Sequence, residues 1–90
     1  MKKQIAILGS TGSIGTQALQ VIREHSDLYE VYCLTANNRV DELARQAREF
    51  NPAAVVIANE DRYDELKGLL ADLPDIKVYA GKQALDEIVE

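Results

Sequence analysis

The chain has 90 residues, 47% of them hydrophobic, and a net charge of -5. That length admits one small domain of ordinary globular composition. Ten Lys and Arg residues scattered among fifteen Asp and Glu argue against a nucleic-acid partner, and no apolar run approaches the ~20 residues of a membrane helix.

Met1-Lys2-Lys3-Gln4 leads straight into apolar sequence, so the start has no signal-peptide core. The lone Cys33 cannot pair internally, which fits a reducing compartment. Both features point to a cytoplasmic protein.

The first predicted element is a strand over Gln4 to Leu8, apolar enough to be buried on both faces of a parallel sheet. A helix follows from Ile14 to about His25, with Ile14, Ala18, Leu19, Val21 and Ile22 as its apolar stripe. Glu30 to Thr35 is β-branched and aromatic and reads as the second strand. Val40, Leu43, Ala44, Ala47 and Phe50 mark a second helical face, which Asn51-Pro52 ends. Ala54 to Ala58 is the third strand. Tyr63, Leu66, Leu70 and Leu73 mark a third helix, with Asn59 or Asp61 as its cap and Pro74-Asp75 as its close. Lys77 to Ala80 is a fourth strand, and Ala84, Leu85, Ile88 and Val89 pattern a last helix.

Uninterrupted β-α alternation implies parallel strands joined by right-handed crossovers. The expected fold is α/β, a Rossmann-like doubly wound parallel sheet with four strands. The fourth strand is expected to flank the third, the alternative being the far side of the first. Four strands leave an unfinished edge, so residues 1–90 are expected to be the front of a longer protein.

The turn between the first strand and first helix reads Gly9-Ser10-Thr11-Gly12-Ser13-Ile14-Gly15. Strand, three spaced glycines, helix is a dinucleotide-binding arrangement with altered spacing. Gly9 suits the sharp turn. Gly12 lets a pyrophosphate approach the backbone. Gly15 lets the helix pack close to the sheet. The hydroxyls of Ser10, Thr11 and Ser13 can donate to phosphate oxygens. The N–H groups around Ser13 and Ile14 lie at the positive end of the helix dipole. The plainer reading is a glycine-rich turn that binds nothing.

An NAD site usually places a carboxylate at the end of the second strand, to hold the ribose 2'-OH. Here that place reads Ala36-Asn37-Asn38-Arg39. No acid repels a 2'-phosphate there, and the Arg39 guanidinium fork suits one. The cofactor expected is therefore NADPH rather than NADH. Alternatively, Asn37 or Asn38 simply caps the second helix and Arg39 is a solvated charge.

His25 closes the first helix, Cys33 is a buried small hydrophobe, and the acidic pairs sit on solvated faces. No metal cluster and no catalytic set can be built from the chain. It offers a binding site without a catalytic group.

Leu8 to Gly15, the LTANN segment, NPAAVVIANE and VYAGKQAL together resemble the start of the 1-deoxy-D-xylulose 5-phosphate reductoisomerase family. That resemblance implies an NADPH-dependent conversion of 1-deoxy-D-xylulose 5-phosphate, a small phosphosugar, to 2-C-methyl-D-erythritol 4-phosphate. It implies a homodimer that uses Mg2+, Mn2+ or Co2+, held beyond these 90 residues. It assigns cofactor contacts to Thr11, Gly12, Ser13 and Ile14, and to Asn37, Asn38 and Arg39. The family often has glycine, lysine and asparagine at those last three positions, so Asn38 and Arg39 stand as alternatives for the 2'-phosphate. An extended short-chain NADP-dependent reductase and a stand-alone nucleotide-binding module also fit the loop.

Overall fold

A computed structural model describes residues 2–81, 83 and 84. Four parallel strands lie in the order β1-β2-β3-β4: β1 (Lys3–Ile7), β2 (Tyr29–Ala36), β3 (Ala54–Ile57) and β4 (Lys77–Ala80). The crossovers contain α1 (Ser13–Glu24), α2 (Val40–Phe50) and α3 (Tyr63–Leu69), the last entered through a 3-10 turn at Glu60–Arg62. The fourth strand pairs with the third, as the sequence suggests. Leu85, Ile88 and Val89 of the expected last helix lie outside the described residues.

β3 is the centre of the core. All four of its residues are buried, with Val55, Val56 and Ile57 fully so. Each such side chain contributes about 2 kcal/mol by leaving water. Leu19 and Ile22 of α1, Leu43 and Ala47 of α2 and Leu66 of α3 join Ile7, Val31, Leu34, Val55 and Ile57 in one cluster. The three helices therefore share one face of the sheet. Cys33, Ala54 and Val56 form a second cluster on the opposite face, with Ala84 packed against it. The chain thus crosses to the other face after β4.

Two expectations about the first crossover need correction. β1 is an edge strand among the described residues, and only Ile7 of it is buried. Burial on both faces needs a layer over each, and among the described residues α1, α2 and α3 cover only one. The α1 stripe also divides. Gly15, Leu19 and Ile22 are buried, whereas Ile14 is 83% and Val21 51% exposed. Apolar spacing identifies the helix, but the sheet beneath is too narrow to cover the whole stripe.

The β1–β2 ladder carries a bulge. Ile5 pairs with Val31 and Ala6 with Cys33, so Tyr32 is an extra residue on β2. Val31 and Leu34 consequently both reach the helical core, three positions apart.

Candidate functional site

The site is built at the carboxyl ends of β1 and β2, where open α/β sheets present their ligand crevices. Gly9 leaves β1 with φ +68°, a left-handed conformation open to glycine at little cost. The loop is then fastened to β2. Thr35 is buried, and its Oγ1 accepts from Gly9 N at 2.8 Å. Its carbonyl accepts from Ser10 N, also at 2.8 Å. Gly12 N closes the turn on Gly9 O at 3.0 Å.

Gly15 seats α1 on this turn. A Cβ there would lie 2.3 Å from Gly9 O and 2.7 Å from Ser10 Cα. Only a glycine allows that approach. Gly12 is different. Its φ of -83° and ψ of 174° suit any residue, and a Cβ would make just one ordinary contact, 3.4 Å from Gly9 O.

The N-terminus of α1 is open. Gly12 is its N-cap, no side chain caps it, and its first turn holds no acid. α2 has Asp41 and Glu42 in that place, and α3 has Asp64 and Glu65. The first N–H groups of α1 thus keep their positive potential.

Across the cleft, the chain leaving β2 supplies Asn37, Asn38 and Arg39. Gly9, Thr11, Gly12, Ser13, Asn37, Asn38 and Arg39 together line a cleft of about 430 Å³. Seven of the eleven candidate residues therefore converge. Ile14 stands exposed in the first turn of α1, Gly15 is buried beneath it, and Ala36 is buried at the end of β2. Arg39 has no carboxylate partner among the described residues.

Ser10 departs from expectation. It is 0% exposed, so its hydroxyl does not reach out toward a ligand. The loop must turn back onto Thr35 at this point, and that rotation carries the side chain inward. Its carbonyl accepts from Gln46 Nε2 of α2 at 2.9 Å. Gln46 is itself buried, and the sequence reading passed over it. Its position between Leu43 and Ala47 on the apolar face of α2 was the available signal.

The plain capping role for Asn37 and Asn38 also fails. Arg39 is the N-cap of α2, and no side chain caps that helix. Asn38 Oδ1 instead accepts from Asn59 Nδ2 at 2.7 Å. His25 is the C-cap of α1, as its position in the sequence suggests. Burial pushes the Cys33 thiol up to about 11, so it is inert at neutral pH. No three potential metal-ligating side chains come together among the described residues. No described helix is long and apolar enough to cross a membrane. A larger cleft of about 550 Å³ lies between α3 and the entry to β4, lined mostly by apolar groups such as Leu70, Pro74 and Ile76. It sits away from the carboxyl ends of β1 and β2, and none of the residues that line it begins a described helix.

The family model of 1-deoxy-D-xylulose 5-phosphate reductoisomerase matches residues 5–90. The chain belongs to that reductoisomerase family. The assignment takes the place of the extended short-chain reductase alternative. The reductoisomerase of Phocaeicola vulgatus is 76% identical over 90 residues, covering 100% of this chain and 23% of its own length. The chain therefore spans about a quarter of the length of such relatives. Among solved structures, the reductoisomerase of Zymomonas mobilis in complex with NADPH superposes with a TM-score of 0.91 at 39% identity, over 97% of this chain and 23% of that one. A reductoisomerase in complex with NADPH, fosmidomycin and magnesium gives 0.89 at 38% identity, over 96% of this chain and 21% of that one.

Proposed function

We propose that this chain is the NADPH-binding portion of a longer reductoisomerase, which converts 1-deoxy-D-xylulose 5-phosphate to 2-C-methyl-D-erythritol 4-phosphate. Gly12 carries this reading. Gly9 is required by its φ and Gly15 by close packing, whereas nothing in the protein itself requires glycine at Gly12. A pyrophosphate lying against the backbone does require it. The open end of α1 would hold that anion, with the hydroxyls of Thr11 and Ser13 beside it.

Asn38 and Arg39 would receive the 2'-phosphate. That no carboxylate lines the cleft among the described residues supports NADPH over NADH. Ala36, Ile14, Gly15 and Ser10 would act by holding the backbone of the cradle. NADPH, when bound, supplies the hydride. This chain's residues bind and orient its adenosine and pyrophosphate half. The catalytic groups, the divalent metal and the phosphosugar site belong to sequence beyond residue 90. The same reading makes the full-length enzyme a cytoplasmic homodimer.

Calorimetric titration of the full-length protein with NADPH and NADH tests the assignment. Tighter binding of NADPH is expected. Tighter binding of NADH would refute the role given to Asn38 and Arg39.

A further inference from the structure

Asn59 follows β3 and lies in none of the segments that line the cleft, yet it is fully engaged. Its Oδ1 accepts from Asp61 N at 3.0 Å, its Nδ2 donates to Asn38 Oδ1 at 2.7 Å, and its backbone N–H donates to Asn37 O at 3.0 Å. These three bonds have a directional logic. A backbone N–H can only donate, so the side-chain atom that meets Asp61 must be oxygen. The other end of the Asn59 amide is then NH2, which can only donate. The atom of Asn38 that meets it must therefore be oxygen. This leaves the NH2 of Asn38, a residue that lines the cleft beside Arg39, as the amide end without a partner among the described residues.

We infer that Asn59 is a specificity-positioning residue, which fixes the Asn38 amide so that a donor rather than an acceptor faces the cofactor's 2' position. The inference rests on the NADPH reading above. A phosphate at neutral pH presents almost only acceptors, whereas a ribose hydroxyl both accepts and donates. A free Asn38 would lose little by turning its amide over. Its oxygen would then face the phosphate and repel it, while a hydroxyl would tolerate either orientation. Asn59 removes that freedom, so its effect falls on the discrimination between the two cofactors more than on binding in general. The lock originates in the turn at Glu60–Arg62, which fixes the Asn59 amide through Asp61 N.

The test is Asn59→Ser in the protein at the full length of its relatives, with dissociation constants measured for NADPH and NADH. Serine keeps an oxygen for Asp61 N and lacks the NH2. The affinity for NADPH should fall about fivefold and that for NADH less than twofold. On an Asn38→Ala background the same substitution should add less than about twofold, because the group it orients is gone. An unchanged NADPH-to-NADH ratio in a folded Asn59→Ser protein overturns the inference, and so does an undiminished effect on the Asn38→Ala background. If serine prevents folding, Asn59→Asp decides. It keeps the turn and accepts from the Asn38 NH2, so it should shift the ratio toward NADH, and a ratio held at the parent value overturns the inference. Failure of the parent protein to prefer NADPH would instead overturn the NADPH reading, and this inference with it.

Discussion

Replacing Gly15 by alanine should be costly in a way that helix propensity alone predicts wrongly. In a helix interior, Gly→Ala gains about 1 kcal/mol. At Gly15, the new Cβ falls 2.3 Å from Gly9 O, 1.1 Å inside the 3.4 Å at which ordinary contact begins. It also lies 2.7 Å from Ser10 Cα and 3.0 Å from Gly9 C. All three are backbone atoms of the same turn, so no side chain can rotate aside. Either α1 lifts from the sheet or the loop yields. Forced insertion of a methyl group into packed structure costs about 1–3 kcal/mol, and three backbone contacts place this case at the upper end. The net loss should be about 2 kcal/mol. Gly68 in α3 is the internal control. Nothing lies within 4 Å of its Cβ position, so Gly68→Ala should stabilise by about 0.5 kcal/mol. Urea unfolding followed by circular dichroism reads both. If the two variants shift the midpoint in the same direction, the steric account of the loop is wrong. Gly12→Ala completes the series. Its stability should change by less than about 1 kcal/mol, while its affinity for NADPH falls at least ~tenfold, or about 1.4 kcal/mol. Retained affinity would remove the main support for the NADPH reading.

Two further expectations follow from contacts around the site. Gln46→Ala strips the donor from the buried Ser10 carbonyl and should cost about 2 kcal/mol in urea unfolding, with weaker NADPH binding as the loop loosens; a loss below ~0.5 kcal/mol would show the contact to be idle. Arg23 grips both carboxylate oxygens of Glu49, joining α1 to α2, with Nη2 to Oε1 at 2.9 Å. That hydrogen bond, helped by the charge of Arg23, holds the Glu49 carboxyl below its ordinary value of 4.5. A lowered folded-state value stabilises the fold above pH 4.5 and is lost as pH falls through it. Glu49→Gln should therefore be less stable than the parent at neutral pH, and the gap should close in acid. A gap that persists at pH 2, below the range of carboxylate titration, would contradict the assignment.

The order of elements and the end of α2 at Asn51 were legible in the sequence, because each depends on local periodicity or turn chemistry; the place of β4 beside β3 was a preference between two edges, which the ladder decides. Asn51 takes φ 49°, the left-handed conformation that asparagine tolerates best after glycine. What was not legible depends on neighbours. The exposure of β1 and of Ile14 follows from sheet order, which no local pattern carries. Tyr32 as a bulge residue is set by a register against β1, 26 or more residues away in sequence. At the cleft, residue type singled out Gly9, Gly12 and the segment after β2, which the fold brings together. It misjudged Ser10, since a hydroxyl beside a glycine reads the same whether it faces ligand or core. It missed Gln46 and Asn59, whose work is to orient other groups across long sequence separations.

Thr35 has a mechanical consequence. It holds the start of the glycine loop with both its side chain and its carbonyl, and Asn38 and Arg39 follow three and four residues later, in the chain that leaves β2 after Ala36. The two halves of the cleft thus ride on one short piece of backbone at the end of β2. Its start is fixed by pairing with β3, Thr35 against Val56 and Ala36 against Ile57. The backbone N–H of Asn59 donates to Asn37 O at 3.0 Å and ties the next residue to the chain leaving β3. The sheet thereby sets the spacing between the phosphate-facing turn and the segment that carries Asn38 and Arg39.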